Sequence, residues 1–200
     1  MKKRNSSLLV FGLLTLLSCK QEINREITDY DYFDVPKSDT VSKSTLVAAT
    51  DEKHLQFGRN VTYLNLEGDT IIPLGKYAYF GTDTLKHYAT VLEHPHDSAW
   101  GRQLAIDQHQ HVLFDVFLFD NGPDYFKEGL TRALRNGKMG YANKYGQVVI
   151  PCIYDFASPF EQGKAQVTFD ALEYLDLEEH MRVESDDWFY IDKQGKRINE

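Results

Sequence analysis

One short phrase returns four times along the chain and narrows what it can fold into. It reads Tyr63-Leu64-Asn65-Leu66-Glu67-Gly68-Asp69-Thr70-Ile71-Ile72-Pro73, then a worn copy from Ala105 to Asp115. It returns as Tyr141-Ala142-Asn143-Lys144-Tyr145-Gly146-Gln147-Val148-Val149-Ile150-Pro151 and last as Tyr190-Ile191-Asp192-Lys193-Gln194-Gly195-Lys196. Each copy sets a polar turn between apolar, aromatic or β-branched residues, which is how a hairpin is written. Self-similarity of this kind means tandem supersecondary units that bury their faces against one another, so it fixes architecture more firmly than activity.

The copy from Gly137 to Phe169 shows the logic of a unit. Met139 to Asn143 and Gln147 to Ile150 read as two strands around Lys144-Tyr145-Gly146, where Gly146 supplies the positive φ of a tight turn without steric cost. Pro151 closes the second strand, because proline has no amide hydrogen for a ladder. After Tyr154-Asp155 and the turn Ser158 to Gly163, Ala165-Gln166-Val167-Thr168-Phe169 alternates with the period of a half-buried third strand. Tyr63, Tyr141 and Tyr190 fall at one position of the phrase and are expected to form a stacked column in the core.

The order Met139-Gly140-Tyr141, Gly146, Val148-Val149-Ile150-Pro151, Tyr154-Asp155, Phe160, Gly163, Ala165, Val167 resembles the WG (Trp-Gly) repeat, a family of β-repeats. The namesake pair is mostly lost, with Trp188 standing near the opening of the fourth copy and Gly140 in the third. Unit one keeps Tyr63, Gly68 and Ile71-Ile72-Pro73; unit two puts Gln110 at the turn glycine but keeps Phe126-Lys127-Glu128-Gly129. The expected fold is all-β, with hairpin or meander repeats stacked into one domain over 55–200 in units near 61–93, 103–135, 137–170 and 187–199. Around 172–187 lies an acidic insertion, where Leu172, Leu175, Leu177 and Met181 suggest one side of a short helix, or an irregular lid. The resemblance implies a protein- or peptide-binding or scaffolding module and brings no catalytic residues with it.

Residues 1–18 read as an export signal: Lys2, Lys3 and Arg4, an apolar run from Leu8 to Leu17 too short to span a bilayer, and small Ser18 before Cys19. Leu16-Leu17-Ser18-Cys19 resembles the lipobox of bacterial lipoproteins, which implies cleavage before Cys19, acylation of Cys19 and a membrane partner through the lipid anchor. With Lys20 rather than an aspartate after the cysteine, the resemblance implies an outer-membrane destination. Residues 19–54 are polar and are expected to act as a tether, with Tyr30, Tyr32 and Phe33 available to dock as a first strand.

Losing the signal removes three positive charges from a chain whose formal net charge is -8, which disfavours nucleic acid as a partner. Of two cysteines, lipidation consumes Cys19, so Cys152 is read as a buried core residue and no disulfide framework is expected.

Two histidine pairs, His94 with His96 and His109 with His111, have the two-residue spacing that puts imidazoles on one side of a strand. With the acidic run Asp176, Glu178, Glu179, Glu184, Asp186 and Asp187 they form the basis of an alternative reading, a metal-dependent envelope hydrolase. Neither pattern completes a ligand set, and no metal or other cofactor is assigned. No nucleophile elbow or phosphate loop is present in the sequence. Aromatics outside the repeat positions, Trp100, Tyr125 and Tyr174, are the candidates for contact with an envelope protein or peptide.

Overall fold

The computed structural model describes residues 21–22, 30–42, 44–93, 101–119, 121–175 and 180–199. Ahead of the repeats stand β1 (Gln21–Glu22) and β2 (Leu46–Ala49). Unit one holds β3 (Asn60–Leu64), β4 (Thr70–Tyr79), β5 (Thr84–Leu85) and β6 (Ala89–Glu93). Unit two holds β7 (Gln103–Ile106), β8 (Val112–Val116), a small hairpin of β9 (Leu118–Phe119) and β10 (Gly122–Pro123), and β11 (Leu130–Arg135). Unit three is β12 (Lys138–Asn143), β13 (Val148–Tyr154), β14 (Phe156–Ala157) and β15 (Lys164–Thr168). Then come β16 (Leu172–Leu175), β17 (Met181–Glu184) and the fourth repeat hairpin, β18 (Phe189–Asp192) with β19 (Arg197–Ile198). The fold is all-β.

Ten strands form one antiparallel sheet in the order β13-β12-β11-β8-β7-β6-β4-β3-β2-β5, and a second sheet runs β14-β15-β18-β19. Each unit gives a hairpin and a further strand that pairs with the first strand of the next: β6 with β7, β11 with β12, β15 with β18. The two sheets part at Asp155, between β13 and β14.

The four phrases fold alike because one side chain wires each turn. Asn65 Oδ1 accepts from the amides of Glu67 and Asp69 at 3.1 and 2.7 Å, Asp107 from His109 and His111 at 2.8 and 2.9 Å, Asn143 from Tyr145 and Gln147 at 2.9 and 3.2 Å, and Asp192 from Gln194 and Lys196 at 2.9 Å each. Such Asx bonds satisfy turn amides that a hairpin leaves without partners. Gln110 holds φ 66° at the position filled elsewhere by glycine, so the eroded unit keeps its turn at some conformational cost.

Three buried clusters make up the core, and they separate the tyrosines. Tyr63 packs in the cluster of Leu46, Val61, Ile72 and Leu85, while Tyr141 packs with Met139, Ile150, Phe160 and Ile191. Tyr190 is only half-buried, under Lys164. The expected column does not form because each ring serves its own unit, its hydroxyl donating to a local carbonyl: Tyr63 to Thr82 O at 2.9 Å, Tyr141 to Ser158 O at 2.6 Å.

Two further expectations need correction. The insertion is a hairpin rather than a helix: Leu172 to Leu175 pair with Met181 to Glu184, and β1 adds a third strand. The presumed helical stripe is not buried, with Leu172 and Met181 both exposed, whereas Tyr174 donates across the hairpin to Glu184 at 2.5 Å. The polar tether does not reach residue 54 either. β2 lies inside the main sheet with Leu46 in the core, and residues 30–42 strap across the repeats. Phe33 donates its amide to Val112 O at 2.8 Å, Asp34 pairs with Arg135 at 2.7 Å, and Gln147 donates to Pro36 O at 2.7 Å. These contacts are polar, which is why a polar segment makes them.

Candidate functional site

A cleft of about 550 Å³, open along one side, forms where unit one meets unit two. Phe57, just ahead of unit one, and Gly81, Thr82, Tyr88 and Thr90 of unit one line one side; unit two contributes Phe114, Val116, Asn121 through Phe126, and Thr131 and Arg132; Lys144 reaches it from the turn of unit three. Phe57 sits 5.4 Å from the Phe80 ring, and a Cβ on Gly81 would lie 3.4 Å from it, so the glycine lets this ring approach the backbone. Phe57 is 55% exposed, Tyr125 59% and Phe126 45%.

The exposure of Phe126 follows from erosion of the repeat. Phe126 and Phe160 hold the same place in the phrase Phe-x-x-Gly. In unit three, Phe160 is buried against Tyr141, ring centroids 4.7 Å apart. Unit two has Ala105 where unit three has Tyr141, so Phe126 has no equivalent ring to pack on and stays at the rim of the cleft.

The wall is held by an ion pair. Arg132 Nε and Nη2 donate to Asp124 Oδ2 and Oδ1 at 2.8 and 2.7 Å, the Arg132 amide adds a bond at 3.1 Å, and both side chains are 5% exposed. The guanidinium also lies 4.1 Å from the Phe117 ring. A bidentate, desolvated pair of this kind fixes geometry, because neither partner can leave without stranding the other. On the floor, Tyr88 packs 5.6 Å from Phe114, and burial pushes its phenol up, so it remains a protonated donor.

A smaller cavity of about 100 Å³ lies beneath the strap, among Phe33, Asp39, His87, Asp107, His109 and His111. His111 stacks on Phe33 at 4.5 Å, and its Nδ1 lies 2.9 Å from Asp107 Oδ2. Among the described residues, no group of three or more His, Cys, Asp or Glu side chains is placed to hold a metal. Beside this cavity a polar network ties the strap down. Tyr30 donates to Glu93, Arg102 lies 4.2 Å from the Tyr30 ring and 2.7 Å from Asp115, and Tyr32 donates to Asp115 at 2.9 Å. Burial, opposed by Arg102, raises the Asp115 carboxyl above its ordinary range.

Of the aromatics singled out in the sequence, Tyr125 lines the cleft, Tyr174 lies apart from it on β16, and Trp100 is outside the described residues. Cys19, His94, His96, Asp176, Glu178 and Glu179 are also outside them. His109 and His111 occupy a turn and face the strap. Cys152 is half-buried, its Sγ 3.5 Å from Ala133 O, and burial pushes its thiol up to about 12. Sequence reasoning missed Phe57, Tyr88, Arg132 and Lys144 and took Phe126 for a repeat residue; Ala105 standing at the Tyr141 position while Phe126 keeps the Phe160 position was the available signal.

The family model described as WG containing repeat matches residues 139–171, from β12 through β15. No curated protein and no solved structure matches the chain. The unit with the best kept phrase is therefore the one that carries the WG repeat pattern, and the cleft lies outside it, in the worn units.

Proposed function

We propose that the chain is a lipid-anchored, non-catalytic binding module of the bacterial cell envelope, and that the cleft between units one and two takes a segment of a partner protein or peptide. The observation that carries this is the set of three half-exposed rings, Phe57, Tyr125 and Phe126, around a cleft whose wall is locked by the buried Arg132–Asp124 pair. Exposed aromatics gathered at a pre-formed cleft are the usual anchors of an interface. Each ring leaves roughly 100 Å² in water, so covering it contributes about 2.5 kcal/mol before the cost of association. Rigid walls lower that cost.

The lipid anchor rests on Leu16-Leu17-Ser18-Cys19, and the outer-membrane address on Lys20. The formal charge of -8 argues against polyanions as partners. The reading is tested by capture from the native envelope with wild-type chain and with a Phe57→Ala/Tyr125→Ala variant, alongside membrane fractionation of Cys19→Ser. A partner held by the wild type and lost from the double variant is expected, with Cys19→Ser in the soluble fraction. Equal capture by both chains contradicts the cleft, and a membrane-bound Cys19→Ser contradicts the anchor.

A further inference from the structure

We infer that the cleft selects acidic segments: its peptide carries an Asp, a Glu or a terminal carboxylate beside a bulky apolar residue, and Lys144 receives that carboxylate. This deepens the reading of the cleft as the binding site and rests on it.

The charged residues among those that line the cleft are Arg132, Asp124 and Lys144. The first two cancel. Both Asp124 oxygens are taken by Arg132, and the pair is almost wholly buried, so a ligand that drew on either would strand the other in apolar surroundings. Lys144 is different. It is exposed on the turn between β12 and β13, its Nζ lies 5.1 Å from the Tyr145 ring, and it is in no ion pair among the described residues. Among the described residues, the cleft thus carries one positive charge outside an ion pair, in a chain of formal charge -8.

That sign reversal is what makes the site selective. An acidic segment is repelled by most of the surface and finds its complement at this rim, so the charge sets position and register more than raw affinity. A basic segment meets no free carboxylate among the described lining residues, because Asp124 is already spent. Tyr88 lines the same cleft: its hydroxyl makes no hydrogen bond among the described residues, and the Cβ end of its ring packs against the Lys144 turn, with Cδ1 3.2 Å from where a Cβ on Gly146 would lie. An ammonium and a phenol together suit a carboxylate. Rings on both rims of an open cleft favour an extended peptide, whose alternate side chains enter from one side, over an enclosed lipid chain.

A random decapeptide display library panned against the full-length chain, with the same library panned against Tyr125→Ala and Lys144→Glu, tests this. Peptides that depend on Tyr125 are expected to be enriched in Asp and Glu next to a bulky apolar residue, and Lys144→Glu is expected to turn that preference toward Lys and Arg. For one enriched peptide, Lys144→Gln and replacement of its acid by the amide should each weaken binding about five-fold, and together by little more than either alone. Tyr125-dependent peptides without acidic enrichment, or affinities unmoved by Lys144→Gln, overturn the charge inference while leaving the cleft as the binding site. Enriched peptides indifferent to Tyr125→Ala overturn both. Lys144 lies in an exposed turn, so unchanged thermal unfolding of its variants separates lost charge from lost fold.

Discussion

Gly140→Ala offers the sharpest test of how the repeat is built. Across β12 and β13 the register runs Met139 to Tyr154 and Tyr141 to Ile150, so Gly140 faces a bulge that includes Pro151. A Cβ there would lie 2.4 Å from Ile150 O and 2.6 Å from both the carbonyl carbon and oxygen of Pro151. All three are backbone atoms, so no rotamer change relieves the overlap and the strands must part. Overpacking costs typically about 1–3 kcal/mol, and a clash with backbone belongs at the top of that range, about 3 kcal/mol. In a domain of this size that lowers Tm by roughly 6–12 °C. Unit one shows the alternative: Thr62 takes the corresponding place, donates its hydroxyl to Ile72 O at 2.8 Å, and faces a bulge one residue longer. The control is Gly163→Ala, where φ is +80° and nothing lies within 4 Å, so only the conformational cost of about 1 kcal/mol applies. Urea unfolding followed by circular dichroism measures both. A Gly140→Ala loss no larger than that of Gly163→Ala refutes the argument that the retained glycine is kept for backbone contact.

Asp124→Ala should cost about 3–5 kcal/mol in the same urea assay by leaving Arg132 buried and unpaired, while Asp124→Leu/Arg132→Met loses far less; equal losses would mean the pair is not desolvated. In a Cys19→Ser background, Cys152 should resist a thiol reagent at pH 8 until the chain is unfolded, and stoichiometric labelling of the native protein would contradict its protected position. Asp34→Ala/Arg135→Ala should speed chymotryptic cutting at Tyr30, Tyr32 and Phe33 several-fold by freeing the strap, and unchanged rates would show that these contacts do not hold it.

The hairpins were legible because their information is local. Asn65, Asp107, Asn143 and Asp192 each wire a turn within four residues of themselves, and the following glycine or Gln110 takes the positive φ. The strap was only half legible. Tyr30, Tyr32 and Phe33 marked it, but their partners Glu93, Asp115 and Val112 are far along the chain, and polar contacts leave no hydrophobic period. Leu172, Leu175 and Met181 suggested a helix, yet a helix there needs a face to bury, whereas the hairpin gains cross-strand pairs and a third strand from β1. Tyr125 could be chosen as an aromatic outside the repeat. The Phe126 ring at the rim of the cleft was hidden because its exposure reflects a loss: Ala105 stands where unit three has the ring that Phe160 packs on, and a missing contact has no motif.

The most direct test of the account is site-specific photocrosslinking of the full-length chain in its native cells, with a benzoyl-phenylalanine in turn at positions 125, 126 and 174. Adducts at 125 and 126 that disappear with Phe57→Ala, and none at 174, are the predicted result. Adducts at 174 alone, or at all three positions regardless of Phe57, would contradict the claim that the cleft is where this protein meets its partner.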